Sequence, residues 1–131
     1  MTVVNTQANK RYDWSRVINA IIQVESKGNP KAHNKVGDCV GILQIRKVLV
    51  KECNQILEKK NLKKRYTIQD RWDAKKSKEM FVLLQEHFNK EHNIEKAIKC
   101  WNCGFYAKDW KQRSITYHKN VMKNYYNKRG K

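Results

Sequence analysis

Apolar residues recur at helical spacing in five stretches of this chain, while strand signals are weak throughout. Val17, Ile18, Ile21, Ile22 and Val24 form the first stripe. Asp13 is a candidate N-cap, and Gly28 and Pro30 are stop signals, which predicts a helix over about residues 13–26. A second stripe, Ile45, Val48, Leu49, Cys53, Ile56 and Leu57, runs into the basic stretch from Lys59 to Arg65, whose charges suit a solvated face. Asp73 can cap a third helix with Met80, Phe81, Leu84 and Phe88 on its buried side, and Asn93 a fourth with Ile94, Ala97, Ile98 and Trp101. After a break at Gly104, a last helix carries Tyr117, Val121, Met122 and Tyr125. Between the first two stripes, residues 28–41 hold three glycines, the only proline, two asparagines and an aspartate, the composition of an irregular loop.

These elements predict an all-α, mainly helical, single compact domain of about five main helices over residues 13–127, with 1–12 as a flexible lead-in and 128–131 as a basic tail. The length of 131 residues suits one domain, and 40% apolar with 10% aromatic residues separates the chain from disordered basic tails. One proline and five glycines are too few for a sandwich or barrel and its many turns. No apolar run approaches a membrane span or the core of a signal peptide, so passage to another compartment would depend on a separate agent. Charge changes the picture more. Twenty-nine Lys and Arg against 12 Asp and Glu give +17 and a pI near 9.9, which calls for a polyanionic neighbourhood: nucleic acid, acidic lipid or the polymers of a bacterial envelope. Cys39, Cys53, Cys100 and Cys103 contain one Cys-x-x-Cys without a second pair to complete a zinc site, and read as four reduced thiols. His33, His87, His92 and His118 lack ligand spacing, so neither metal nor cofactor is expected.

The residue that carries chemistry is Glu25, four positions after Ile21 and three after Ile22, which puts a carboxylate on the apolar stripe. Burial there disfavours the charged form and raises the pKa, as a general acid near neutral pH requires. The other reading of the same position is a capping or ion-paired glutamate in a helix's last turn, where negative charge opposes the dipole.

Glu25-Ser26 is followed by Gly28-Asn29-Pro30, Ala32, Gly37 and Gly41-Ile42-Leu43-Gln44-Ile45, and later by Ala97-Ile98 and Lys99-Cys100-Trp101-Asn102-Cys103-Gly104. The series, from about Trp14 to Tyr126, resembles the soluble lytic transglycosylase and goose-type lysozyme superfamily. There a helix ending in Glu-Ser leads through an irregular loop to Gly-Leu-Met-Gln, then to Ala-Tyr-Asn-Ala-Gly and a terminal helix with a tyrosine. The resemblance implies a lysozyme-like fold and cleavage of the β-1,4 bond between N-acetylmuramic acid and N-acetylglucosamine in peptidoglycan. In the transglycosylase branch a single glutamate, here Glu25, protonates the leaving oxygen. It then takes the C6 hydroxyl proton as a 1,6-anhydro ring closes, without water.

The resemblance also implies supporting residues. Ser26 and Gln44 flank the acid and suit sugar hydroxyls and acetamido groups, or they brace the loop. Gly41 lets backbone approach the acid or the sugar. Tyr117 would donate its hydroxyl to Glu25, against a purely core role beside Val121 and Tyr125. Asn102 matches the asparagine that closes the floor of the groove, and Trp101, in place of the usual tyrosine, reads as core. Asp38 keeps two readings open: a second carboxylate that positions water, as in goose-type lysozymes, making the enzyme a muramidase, or a turn residue satisfying its own loop backbone.

A basic nucleic-acid-binding domain is the rival class, with aromatics interleaved among lysines at Lys108-Asp109-Trp110-Lys111, but it leaves Glu25 unexplained. The expected partners are therefore peptidoglycan glycan strands and the anionic envelope, with nucleic acid not favoured and the protein a monomer. The expected setting is the bacterial cell wall, reached from the cytoplasm through a phage holin, in a virion, or by a trimmed mature domain.

Overall fold

The computed structural model describes residues 11–127; the expected tail at 128–131 and most of the lead-in lie outside the described residues. Five helices follow the apolar stripes: α1 Ser15–Glu25, α2 Lys47–Lys59, α3 Ala74–Phe88, α4 Ile94–Cys103 and α5 Gln112–Tyr126. A 3-10 helix, Ile68–Trp72, precedes α3, and a two-stranded ribbon, β1 His33–Asn34 and β2 Cys39–Val40, lies in the loop after α1. The architecture is the mainly helical domain that the sequence predicts.

Side-chain caps set the starts of α3 and α4, while α1, α2 and α5 begin without one. The Asp73 carboxylate accepts from the Lys76 N–H at 2.9 Å, and the Asn93 side chain accepts from the Lys96 N–H at 2.8 Å, each satisfying a helix-start amide. Gly104, at φ +95°, ends α4 with its N–H on the Cys100 carbonyl, a conformation closed to most other residues. Asp13 is not the N-cap of α1; Trp14 holds that position, while Asp13 accepts from the Ser15 N–H at 2.9 Å. Tyr12 stacks on His92 at 4.5 Å between ring centroids.

One core joins all five helices. Ile21, Leu43, Ile45, Cys53, Met80, Phe81, Leu84, Ala97, Ile98 and Val121 are fully buried, with Trp14 and Trp101 set against Phe81. At roughly 1.5–3 kcal/mol for each large apolar side chain removed from water, this cluster is the main stabilising term. Two members of the second stripe depart from expectation. Ile45 lies before α2, not on it, and forms a β-bridge with Val40; Val48 is 62% exposed on the outer face of α2. Ile45 is buried by the loop that it closes, so its apolar character reflects the core without belonging to the helical period.

The loop from Ser26 to Arg46 is the least regular and the most constrained part of the fold. β1 and β2 pair antiparallel, His33 opposite Val40 and Asn34 opposite Cys39. Two-residue strands carry no alternation, which is why the pattern of the sequence missed them. Beneath the ribbon Arg71, 4% exposed, donates from Nε to the Ile68 carbonyl and from Nη1 to the carbonyls of Asp38 and Ile45 and to the Asp38 carboxylate. Its own carbonyl accepts from the buried Ser77 hydroxyl at 3.1 Å and faces Gly41. A Cβ at Gly41 would stand 1.9 Å from that oxygen, and the residue sits at φ +84°. Gly41 thus serves a close approach to the Arg71 backbone, where the sequence suggested the acid or a sugar. Gly41→Ala is expected to lose roughly 2–4 kcal/mol, from left-handed strain and the clash together. Urea unfolding followed by circular dichroism measures this, and an unchanged midpoint would show that the loop yields freely.

Candidate active site

Glu25 is the last residue of α1, held on the apolar stripe by Ile21 and Ile22 and released from the helix by Ser26, Lys27 and Gly28. The N–H groups of Ser26 and Lys27 both bond to the Ile22 carbonyl, and Lys27 and Gly28 turn the chain through positive φ at 55° and 84°. No basic residue lies in the last turn of α1, so the carboxylate faces the negative end of the dipole without a local counter-ion. Its partner comes from the far end of the chain. Tyr117 on α5 donates its hydroxyl to Glu25 Oε2 at 2.6 Å.

Desolvation by burial pushes the Glu25 pKa above the ordinary glutamate value, and the Tyr117 hydrogen bond, which favours the carboxylate, opposes it without prevailing. The same pairing, together with burial, holds the Tyr117 phenol well above its ordinary value, so it remains a donor. Among the described residues no partner engages Glu25 Oε1, which leaves one oxygen of the acid for a ligand.

Glu25 opens into a cleft of about 400 Å³ lined on one side by Asn34, Cys39, Gln44 and Arg46, and on the other by Cys100, Trp101, Asn102, Cys103 and Arg113. Gln44, at φ +52°, donates from Nε2 to the Gly41 carbonyl at 3.0 Å and the Ala32 carbonyl at 3.2 Å. These bonds stabilise a left-handed residue that is not glycine. The Ser26 hydroxyl donates to the Ile42 carbonyl at 2.8 Å and accepts from the Gly28 N–H at 3.1 Å, so it is committed to the loop, and Ser26 is not among the residues lining the cleft. Asn102 accepts from the Ser114 hydroxyl at 2.8 Å through Oδ1, which ties α4 to α5. Trp101 is core, as expected, its Nε1 donating to the Leu43 carbonyl at 3.0 Å.

Asp38 is placed elsewhere. It does not line the cleft, and both its oxygens are engaged: His33 Nε2 donates to Oδ1 at 2.9 Å, and Arg71 Nη1 to Oδ2 at 3.2 Å. Those contacts hold its carboxyl below the ordinary aspartate value. Asp38 sits in a turn, its N–H on the Lys35 carbonyl at 3.2 Å, but its side chain reaches His33 and Arg71 and not its own backbone.

A larger groove of about 1030 Å³ shares no lining residue with this cleft. Its Glu79 accepts from Lys64 at 2.8 Å and from Tyr66 at 3.0 Å, and the Lys64 contact pushes its pKa down, the opposite of what a proton donor needs. The sequence pattern missed Arg71, Arg46 and Arg113, and the cleft-facing Cys39. The available signal was arginine itself, scarce in a chain whose basic residues are mostly lysine.

Among the described residues no group of three His, Cys, Asp or Glu side chains could hold a metal ion, and no helix is long and apolar enough to cross a membrane. The profile of the family described as Transglycosylase SLT domain matches residues 2–124. Comparison with curated proteins and with solved structures finds no match.

The balance of burial and hydrogen bonding at Glu25 has a signed consequence. Tyr117→Phe deletes the one donor that favours the carboxylate and keeps the ring, so the Glu25 pKa is expected to move further up. Carbon-13 NMR titration of the Glu25 carboxyl in both proteins reads this directly; a downward shift in the variant would show that the hydroxyl does not stabilise the anion.

Proposed function

This chain belongs to the transglycosylase SLT-domain family, whose members are lytic transglycosylases that cleave glycosidic bonds of peptidoglycan, and from that premise we propose that Glu25 alone performs both proton transfers. The observation that carries the reading is a carboxyl group with a raised pKa, half-buried at the end of α1, anchored through one oxygen and open to the cleft through the other.

The reaction begins from the neutral acid, the form that burial favours. It gives that proton to the glycosidic oxygen as the bond to C1 of the muramic acid breaks, and the substrate's own acetamido group stabilises the oxocarbenium-like centre. Tyr117 now matters most, because its hydrogen bond is stronger to the carboxylate just formed than to the neutral acid. The Glu25 carboxylate then takes the proton of the C6 hydroxyl while that oxygen bonds to C1. The products are a free 4-hydroxyl on the departing sugar and a 1,6-anhydro end, with the acid restored and no water consumed. Gln44 and Asn102 would meet the sugar through the polar atoms left over by their bonds to the loop carbonyls and to Ser114 respectively, and Ser26 acts one step back by fixing the turn after Glu25.

Hydrolysis with Asp38 as the second carboxylate is the less favoured reading, since Asp38 lies outside the cleft and is occupied by His33 and Arg71. Glu25→Gln should leave the fold intact and lower turnover about 100- to 10,000-fold. Mass spectrometry of wild-type digests should show anhydro ends, lighter by one water than reducing ends. Reducing ends, together with an inactive Asp38→Asn protein, would establish the two-carboxylate hydrolase instead.

The net charge of +17 has a separate role, concentrating a monomeric enzyme on a polyanionic wall during phage lysis or wall penetration. The attraction is screened beyond about 8 Å at physiological salt, so co-sedimentation of the Glu25→Gln protein with purified walls should fall steeply as salt rises. A flat profile would reduce the charge to a solubility device.

A further inference from the structure

The cations of the Glu25 cleft are not a sample of the chain's cations. Twenty-two of the 29 basic residues are lysine, yet among the described residues no lysine lines the cleft, and its two cations are Arg46 and Arg113. Among the described arginines outside the cleft, Arg11 at the edge of the fold has no protein partner for its guanidinium, and the other three do. Arg16 donates to the Tyr125 carbonyl and lies over its ring, Arg65 donates to the carbonyls of Leu62 and Lys64, and Arg71 holds the loop. Among the described residues neither Arg46 nor Arg113 has a carboxylate within ion-pair distance or a hydrogen-bond acceptor for its guanidinium; Arg46 only packs over Gly37. They come from different elements, the residue before α2 and the first turn of α5, and converge on one space. Both positions are helix starts, where the dipole disfavours a cation, and no carboxylate among the described residues pairs with either. Glu25 is the only carboxylate in the cleft, and burial and Tyr117 account for its shift, so the arginines are not its counter-ions.

A planar guanidinium matches a carboxylate through two parallel hydrogen bonds, which an ammonium cannot do. The sugars of a glycan strand carry no carboxylate once the lactyl group of muramic acid is joined to its peptide; the free carboxylates belong to the peptide stem. A phosphate on the C6 oxygen of the reacting sugar is excluded by the same chemistry, because it would remove the hydroxyl that closes the ring. Resting on the reading of this cleft as the site of glycan cleavage, we propose that Arg46 and Arg113 bind the stem carboxylates and make the enzyme selective for stem-bearing over denuded strands. They are specificity residues and take no part in the proton transfers.

The test uses three substrates: purified strands with intact stems, the same strands stripped of stems by an amidase and then amidated at the lactyl carboxylates that stripping frees, and strands whose stem carboxylates have been chemically amidated. Wild-type enzyme should show a KM on intact strands roughly ten-fold below that on the other two, the effect of about one charge-assisted contact. Arg46→Gln with Arg113→Gln should raise KM on intact strands to the common value and leave kcat unchanged. Arg46→Lys with Arg113→Lys should restore only part of the preference, separating the fork from the charge. Equal KM for wild type on all three substrates, or an equal loss by the double glutamine variant on all three, overturns the proposal. Binding of the Glu25→Gln protein to fluorescently labelled strands is measured in parallel. An arginine-dependent preference for intact stems in binding, with no wild-type cleavage, would preserve the clamp and overturn the catalytic reading instead; no preference in binding overturns the clamp whatever the activity.

Discussion

Arg71 is the part on which the rest of the site depends. A buried guanidinium is expensive to desolvate, and this one is accommodated because its N–H groups find the carbonyls of Ile68, Asp38 and Ile45 and the Asp38 carboxylate. Asp38 and Ile45 stand on either side of Gly41 and Gln44, and Ile68 lies outside the loop, so one side chain holds both ends of that stretch and sets how close it comes to the start of α3. The Arg71 carbonyl adds a second constraint by excluding any side chain at Gly41. Such a network need not make the protein more stable than an apolar plug would. Its effect is to leave the loop one arrangement.

The second constraint spans the chain. Glu25 ends α1 and Tyr117 lies near the start of α5, 92 residues later, and their hydrogen bond exists only because α1 packs along α5. The carboxyl is thus tuned by two features of different range: local burial on the α1 stripe, which raises its pKa, and a tertiary hydrogen bond, which tempers the rise. The two effects act in opposite directions on the same group, and burial is the larger.

How much of this is legible in the sequence depends on the range of the interaction. Helices α3 and α4 are readable almost to the residue because Asp73 and Asn93 cap them and Met80, Phe81, Leu84, Ala97 and Ile98 repeat at helical spacing. Glu25 is readable because an acidic residue interrupts an apolar stripe. Ile45 misleads, since burial by a loop and burial by a helix leave the same apolar letter. The ribbon is invisible because two-residue strands have no period. Arg71 and the fate of Asp38 are illegible for a deeper reason: which cation meets which anion across 33 positions is decided by the fold, and a lone aspartate in a turn-rich loop reads as a turn residue.

The conformational strain of the molecule is distributed to match. Besides glycine, Lys27, Asp38 and Gln44 adopt positive φ, all within the segment between α1 and α2, while Asn61 and His92 do so at ordinary helix exits. Three left-handed residues in one loop form a reservoir of strain that a short peptide of this sequence would release. The loop does not release it because each is tied down: Lys27 through its N–H to Ile22, Asp38 through His33 and Arg71, Gln44 through its amide to Ala32 and Gly41. A loop free to relax would change the positions of Gln44 and Gly41 beside the Glu25 cleft before the fold lost stability. The lysine-rich exterior faces no such demand, so charge there is interchangeable while geometry in the loop is not.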